Sequence, residues 1–228
     1  MFRKFRELFS SENLLDAAFD TTVKMLEFDY KMYQASRDSL RTKQSAELPF
    51  DVKKTDRKIN KYERQVRRNV ITHLTVAGMA NLVPGMVLVS IVVDVERIGD
   101  YTKNIVDLAQ QHEAVLDGGP FEKTLQEIEA HVKAHFEMIV PILVDHDREQ
   151  GRTMMRAEDE IGKMAEGIVS ELLQNGTERL SSRDAVAVAL YARYLKRINA
   201  HLTNIASAIV NPFPRISFRE KMPRPDKD

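Results

Sequence analysis

The chain carries 228 residues, with 34 Lys and Arg balanced by 34 Asp and Glu, a hydrophobic share of 43% and no cysteine. A net charge of zero removes the electrostatic argument for nucleic acid as a main partner. The missing cysteines exclude disulfides, thiolate metal sites and thiol nucleophiles, which leaves oxygen and imidazole as the ligand types for a metal.

The opening "MFRKFRELF" sets Phe2, Phe5 and Phe9 near one helical face with Arg3, Lys4 and Arg6 around them. It lacks the apolar run and small-residue site of a secretory leader. Nine residues bind a bilayer weakly on their own, so a packed extension of the first helix is expected, with peripheral membrane contact left open. The first helix is expected over roughly 11–44, where Leu14, Leu15, Ala18, Phe19, Thr22, Met25 and Leu26 trace one apolar face. "AELPF" at 46–50 breaks it, and a second helix is expected over 51–80. That helix places Asp56, Asn60 and Glu63 at i, i+4 and i+7, a row of oxygen ligands on one side. From Asn69 to Val93 there is no Asp, Glu, Lys or Arg, yet Thr72, His73, Thr75, Asn81 and the "NLVPG" turn interrupt the stretch. Two buried helix segments meeting at a loop are therefore expected rather than a membrane span.

The third helix, expected over 84–115, carries the sequence "VDVERIGDYTKNIVDLA" at 93–109. At about 100° per residue, Leu88, Val92, Val95, Gly99, Thr102 and Val106 form the buried stripe. Glu96, Asp100, Asn104 and Asp107 lie together on its flank. Like charges at i and i+4 repel, so Glu96 and Asp100 cost something unless a cation offsets them. Spacing alone allows two readings. One is a solvated acidic face answered by Arg97, Lys103, Lys58 and Lys61. The other is two facing rows of hard oxygen ligands on the second and third helices, a donor set suited to Mg, Ca, Mn or Fe.

"DGGPF" at 117–121 marks a boundary, and helices are expected over 120–146, 151–175 and 181–210, separated by "DREQG" and "NGTERLSS". Leu125, Ile128, Val132, Phe136, Ile139 and Leu143 line the fourth, and Pro141 should kink it near its end. Glu127, His131 and His135 run at i, i+4 and i+8 on that helix, at the edge of the apolar stripe, where solvated histidines are the commoner outcome. The end "NPFPRISFREKMPRPDKD" holds four of the eight prolines and is expected to be mobile or draped over a partner. No segment alternates with period two for long enough to make a strand. No phosphate loop, nucleophile motif or His-Glu-x-x-His occurs, so an enzyme is unsupported.

The third helix repeats as the sixth, 100 residues later: "ERIGDYTKNIVDLA" stands over "KRINAHLTNIASAI". The fold expected is thus all-α, two tandem pseudo-symmetric three-helix bundles over 1–117 and 118–210, followed by a Pro-rich charged tail, 211–228.

The core "ERIGD…NI" on the third helix of such a unit, repeated in degraded form, resembles the PhoU family of phosphate-uptake regulators and its Glu/Asp-x-x-x-Asp signature. The resemblance spans both repeats, roughly 11–210. It implies a cytoplasmic, non-catalytic adaptor, a negative regulator of phosphate uptake and of phosphate-starvation signalling. The implied partners are a phosphate transporter ATPase subunit and a sensor histidine kinase, and the implied assembly is a homodimer. It also implies a divalent or ferric ion (Fe, Mn, Mg or Zn) held by Glu96 and Asp100, with Asp56, Asn60 and Asn104 as further candidates. The second repeat departs from the pattern, because Lys196 and Ala200 replace the acidic pair and only Asn204 is kept. Metal is therefore expected on the first unit alone. Alternatives are an accessory protein of another transporter, or a metal-dependent helical-bundle enzyme using Glu96 and Asp100.

Overall fold

The computed structural model describes residues 11–42, 51–112, 114–176 and 179–220. The phenylalanines at 2, 5 and 9 and the "AELPF" break lie outside them. Among the described residues there are six long helices and no strand. They are α1 (Ser11–Arg41), α2 (Val52–Ala77), α3 (Leu82–Gln111), α4 (Glu122–Asp145), α5 (Arg148–Gln174) and α6 (Ser182–Val210).

Helix limits follow their caps. Asp51 opens α2 by accepting from the Lys54 N–H at 3.0 Å, and Gly78, at φ 72°, ends it in a conformation that costs a residue with a Cβ far more. Asp147 opens α5 by accepting from the N–H groups of Glu149 and Gln150, both at 3.0 Å. The break expected within "DREQG" falls at Asp147, and α5 begins at Arg148, three residues before the expected start; Gly151 lies inside its first turn, where a Cβ would come 2.9 Å from Val210 Cγ2. Pro84 likewise lies inside the first turn of α3, where its missing N–H has no helical acceptor to lose. The charge-free stretch is the end of α2, a short 3-10 turn over Gly78–Asn81 and the start of α3. Among the described residues no helix is long and apolar enough to cross a membrane.

Helices α1, α2 and α3 pack on one another, as do α4, α5 and α6, and α3 lies along α6 to join the two units. The buried stripe on α3 is the one its periodicity predicts, with Leu88, Val92, Val95, Gly99, Thr102 and Val106 all buried. One apolar core runs through both units. The seam carries polar groups that are paired within the chain. Asp94 accepts from Asn204 at 3.0 Å and lies 2.8 Å from His201, while Arg197 donates to the Tyr101 hydroxyl at 3.2 Å. At the α1–α4 contact Phe136 stacks on Tyr30 and Tyr33, both with centroids 5.1 Å away. Arg41, nearly buried, there pairs with Glu129 at 2.9 Å and with Glu122.

The beginning of the tail is not free of the fold. Asn211 donates to the carbonyls of Arg215 and Phe218, Ser217 N–H donates to Ser207, and Glu220 holds the Arg152 guanidinium with both oxygens. Residues 211–220 thus turn back over α5 and α6, correcting the expectation of a mobile segment for that part.

Candidate functional site

The two acidic rows do face one another. Lys103 of α3 reaches Asp56 of α2 at 3.6 Å, and the charges of Glu63 and Asp56 both act on Glu96. The Glu96 carboxyl is held above the usual carboxylate range, by partial burial first and then by Asp100, with Arg97 opposing. Asn60 and Asn104 are half-buried on the same two helices, whereas Asp107 is exposed.

Cations answer most of these acids. Arg97 lies 3.3 Å from Asp100 and 3.7 Å from Glu96, and Arg67 pairs with Glu63 at 2.7 Å. Lys58 instead sits over the Phe28 ring, 3.9 Å from its centroid. Among the described residues no three His, Asp or Glu side chains converge closely enough to enclose an ion as they are oriented. The Arg97 pairs are exposed, however, and such pairs are worth only about 0–1 kcal/mol.

Sequence reasoning missed the centre of this face, which is Asp29 on α1. It is fully buried, and neither carboxyl oxygen has a hydrogen-bond partner. Burial, then Glu96, then Asp100, push its carboxyl well above the ordinary range. Gly99 makes the approach possible: a Cβ there would lie 3.0 Å from Asp29 Oδ1 and 3.2 Å from Ile59 Cδ1. The signal was legible, since Asp29 stands four residues after Met25 and three after Leu26, on the apolar stripe of its own helix. An acid in that register is buried by the same periodicity that buries its neighbours.

The corresponding slot of the second unit is closed from within. Asn199 occupies the place of Gly99 in the repeat, and its side chain lies 2.6 Å from His135 Nδ1, both groups buried. Lys196, in the place of Glu96, pairs with Glu166 of α5. Glu127 pairs with Lys123 at 3.9 Å, so the Glu127, His131 and His135 row does not converge on one point. Two surface cavities, of about 310 and 490 Å³, lie away from the acidic face: one beside Arg152 and Arg219, the other among α1, α3, α4 and α6.

Comparison with known proteins is consistent with this repeat. The family model described as "PhoU domain" matches residues 22–109 and again 125–209. Among solved structures, PhoU from Pseudomonas aeruginosa superposes with a TM-score of 0.75 at 19% identity, over 88% of this chain and 97% of that one. The phosphate transport system regulatory protein PhoU from Streptococcus pneumoniae gives 0.73 at 14% identity, over 88% and 95%. No curated protein matches the chain in sequence.

Proposed function

Because the chain belongs to the PhoU domain family, we propose that it is a non-catalytic regulatory adaptor, a negative regulator of phosphate uptake and of phosphate-starvation signalling. The observation that carries this reading is the tandem match to the PhoU domain, with the ERIGD motif whole on α3 and facing α2. The solved relatives support it through their fold, and the one from Streptococcus pneumoniae is a phosphate transport system regulatory protein. The partners this implies are a transporter ATPase subunit and a sensor histidine kinase in the cytoplasm, with the chain acting as a homodimer. Deleting the gene should raise phosphate import or starvation-gene expression in phosphate-rich medium. Unchanged import and expression in a clean deletion strain would remove the regulatory reading.

The acidic face adds a metal to this proposal. Glu96 and Asp100 would hold a divalent or ferric ion, helped by Asp56, Asn60 and Asn104 from the flank. The donor set fits a hard cation in kind, and the unpartnered carboxyl of Asp29 beside it supports the fit. The ion would supply charge neutralisation, fixing α2 against α3 where carboxylates now repel. Lys196, paired with Glu166, carries a positive charge at that position in the second unit, which supports binding on the first unit alone. Asp100→Ala should abolish binding and leave helical content near wild type. Equal occupancy around Lys196 would defeat the asymmetry.

A PhoU-like accessory role at another transporter is the second reading, favoured by the replacement of the second acidic pair by Lys196 and Ala200. A metal-dependent enzyme has less support, because neither cavity described above is lined by Glu96 or Asp100.

A further inference from the structure

Asp29 is a group that neither packing nor the flanking acids explain. Its helix neighbours Met25, Leu26, Met32 and Tyr33 are all buried apolar or aromatic side chains, and an aliphatic residue would continue that stripe. A carboxylate in this position, with no donor to either oxygen, carries a desolvation penalty that nothing in the chain offsets, and a charged group fares worse there than a neutral one. A cation would remove that penalty. Four of the cationic side chains on this face are engaged with other groups, Arg97 with Asp100, Lys103 with Asp56, Arg67 with Glu63 and Lys58 with Phe28, while Lys61 is exposed on α2.

The geometry gives the carboxyl an address. It lies against Gly99, the residue just before Asp100 on α3, and a side chain at 99 would crowd it at 3.0 Å. That contact sets it beneath the turn of α3 that carries the motif, within reach of the charges of Glu96 and Asp100. The second unit provides an internal control. There the same level is filled by a His135–Asn199 contact at 2.6 Å and capped by a lysine, so all of its groups are partnered inside the chain. Among the described residues, only the first unit sets a glycine at this level against a buried carboxyl without a hydrogen-bond partner.

We propose that Asp29 is an inner carboxylate ligand of a hard cation, forming the floor of a site whose rim is Glu96 and Asp100. The inference rests on the reading that Glu96 and Asp100 hold such an ion, and it adds a ligand from α1, a helix outside the motif. Asp29 would tie α1 to α3 through the ion, and with Asp56 and Asn60 on the flank the ion would join all three helices of the first unit, whereas without Asp29 it would join only α2 and α3.

The probe is Mn²⁺ alone, at pH 7.5, on the full chain, read by equilibrium dialysis and by the electron paramagnetic resonance signal of free ion. Wild type, Asp29→Asn and Asp100→Asn are compared, with melts in EDTA to show that each is folded. Asp29→Asn keeps the side-chain shape and should weaken Mn²⁺ binding about tenfold or more, a loss on the scale of removing a supporting group from a metal site. It should also reduce the rise in melting temperature that Mn²⁺ gives the wild type. If Asp29→Asn fails to fold, Asp29→Ser carries the same expectation. Wild-type affinity in a folded Asp29 variant, with loss in Asp100→Asn, overturns the role of Asp29 and leaves the rim intact. Absence of binding to wild type overturns the metal reading and this inference together.

Discussion

Replacing Asp29 by Asn tests the electrostatics of the acidic face in the absence of any metal. In the folded chain, burial first and then Glu96 and Asp100 hold the Asp29 carboxyl well above its ordinary range. In the unfolded chain it ionises near the reference value of about 3.9. Between these two values the folded state binds one proton more than the unfolded state. The stability Asp29 contributes is thus fully present below about pH 4 and is lost as pH rises through the folded value, at about 1.4 kcal/mol per pH unit. Asn binds no proton at all. The variant should therefore gain on the wild type as pH rises from about 4.5, by up to about 1.4 kcal/mol per pH unit, or about 3–6 °C in melting temperature for a chain of this size. The difference between the two proteins is the quantity to measure, because His135 works in the opposite sense over part of the same range. Thermal melts of both proteins in EDTA, at half-unit pH steps, give it directly. Parallel stability curves would refute the reasoning, since they would mean that Asp29 is ionised in the folded chain and answered by a cation.

Two further outcomes follow from buried polar groups elsewhere. Burial holds the His135 imidazole below its ordinary range, so its contribution is fully present above about pH 6.5 and is lost as pH falls through the folded value; His135→Gln should remove that dependence, and equal slopes in melts from pH 7.5 to 5.5 would count against it. Arg41, whose side chain is 10% exposed, joins α1 to Glu122 and Glu129 of α4, and Arg41→Ala should cost about 1–3 kcal/mol by leaving two half-buried carboxylates without their cation. Urea denaturation gives that number, and a loss under 1 kcal/mol would show the pairs to be solvated.

Sequence alone determined the features that depend on local periodicity and on repetition. The buried stripe of α3 from Leu88 to Val106, the number of helices, the tandem units and the asymmetry between Glu96/Asp100 and Lys196/Ala200 all follow from spacing along the chain. Helix limits were less legible, because a glycine such as Gly151 reads as a break until Asp147 is seen to cap the helix before it. What only the tertiary structure decided is which residues from different helices meet. Helical spacing cannot say that Lys103 reaches Asp56, that Arg67 rather than Lys61 answers Glu63, or that Asn204 serves the seam with Asp94. Nor can it say that Asp29 of α1 arrives beneath Glu96 and Asp100, seventy residues further along. That meeting depends on the absence of a side chain at Gly99 and on the packing of three helices at once, and the resulting isolation of a carboxyl from water is a property of the assembled core.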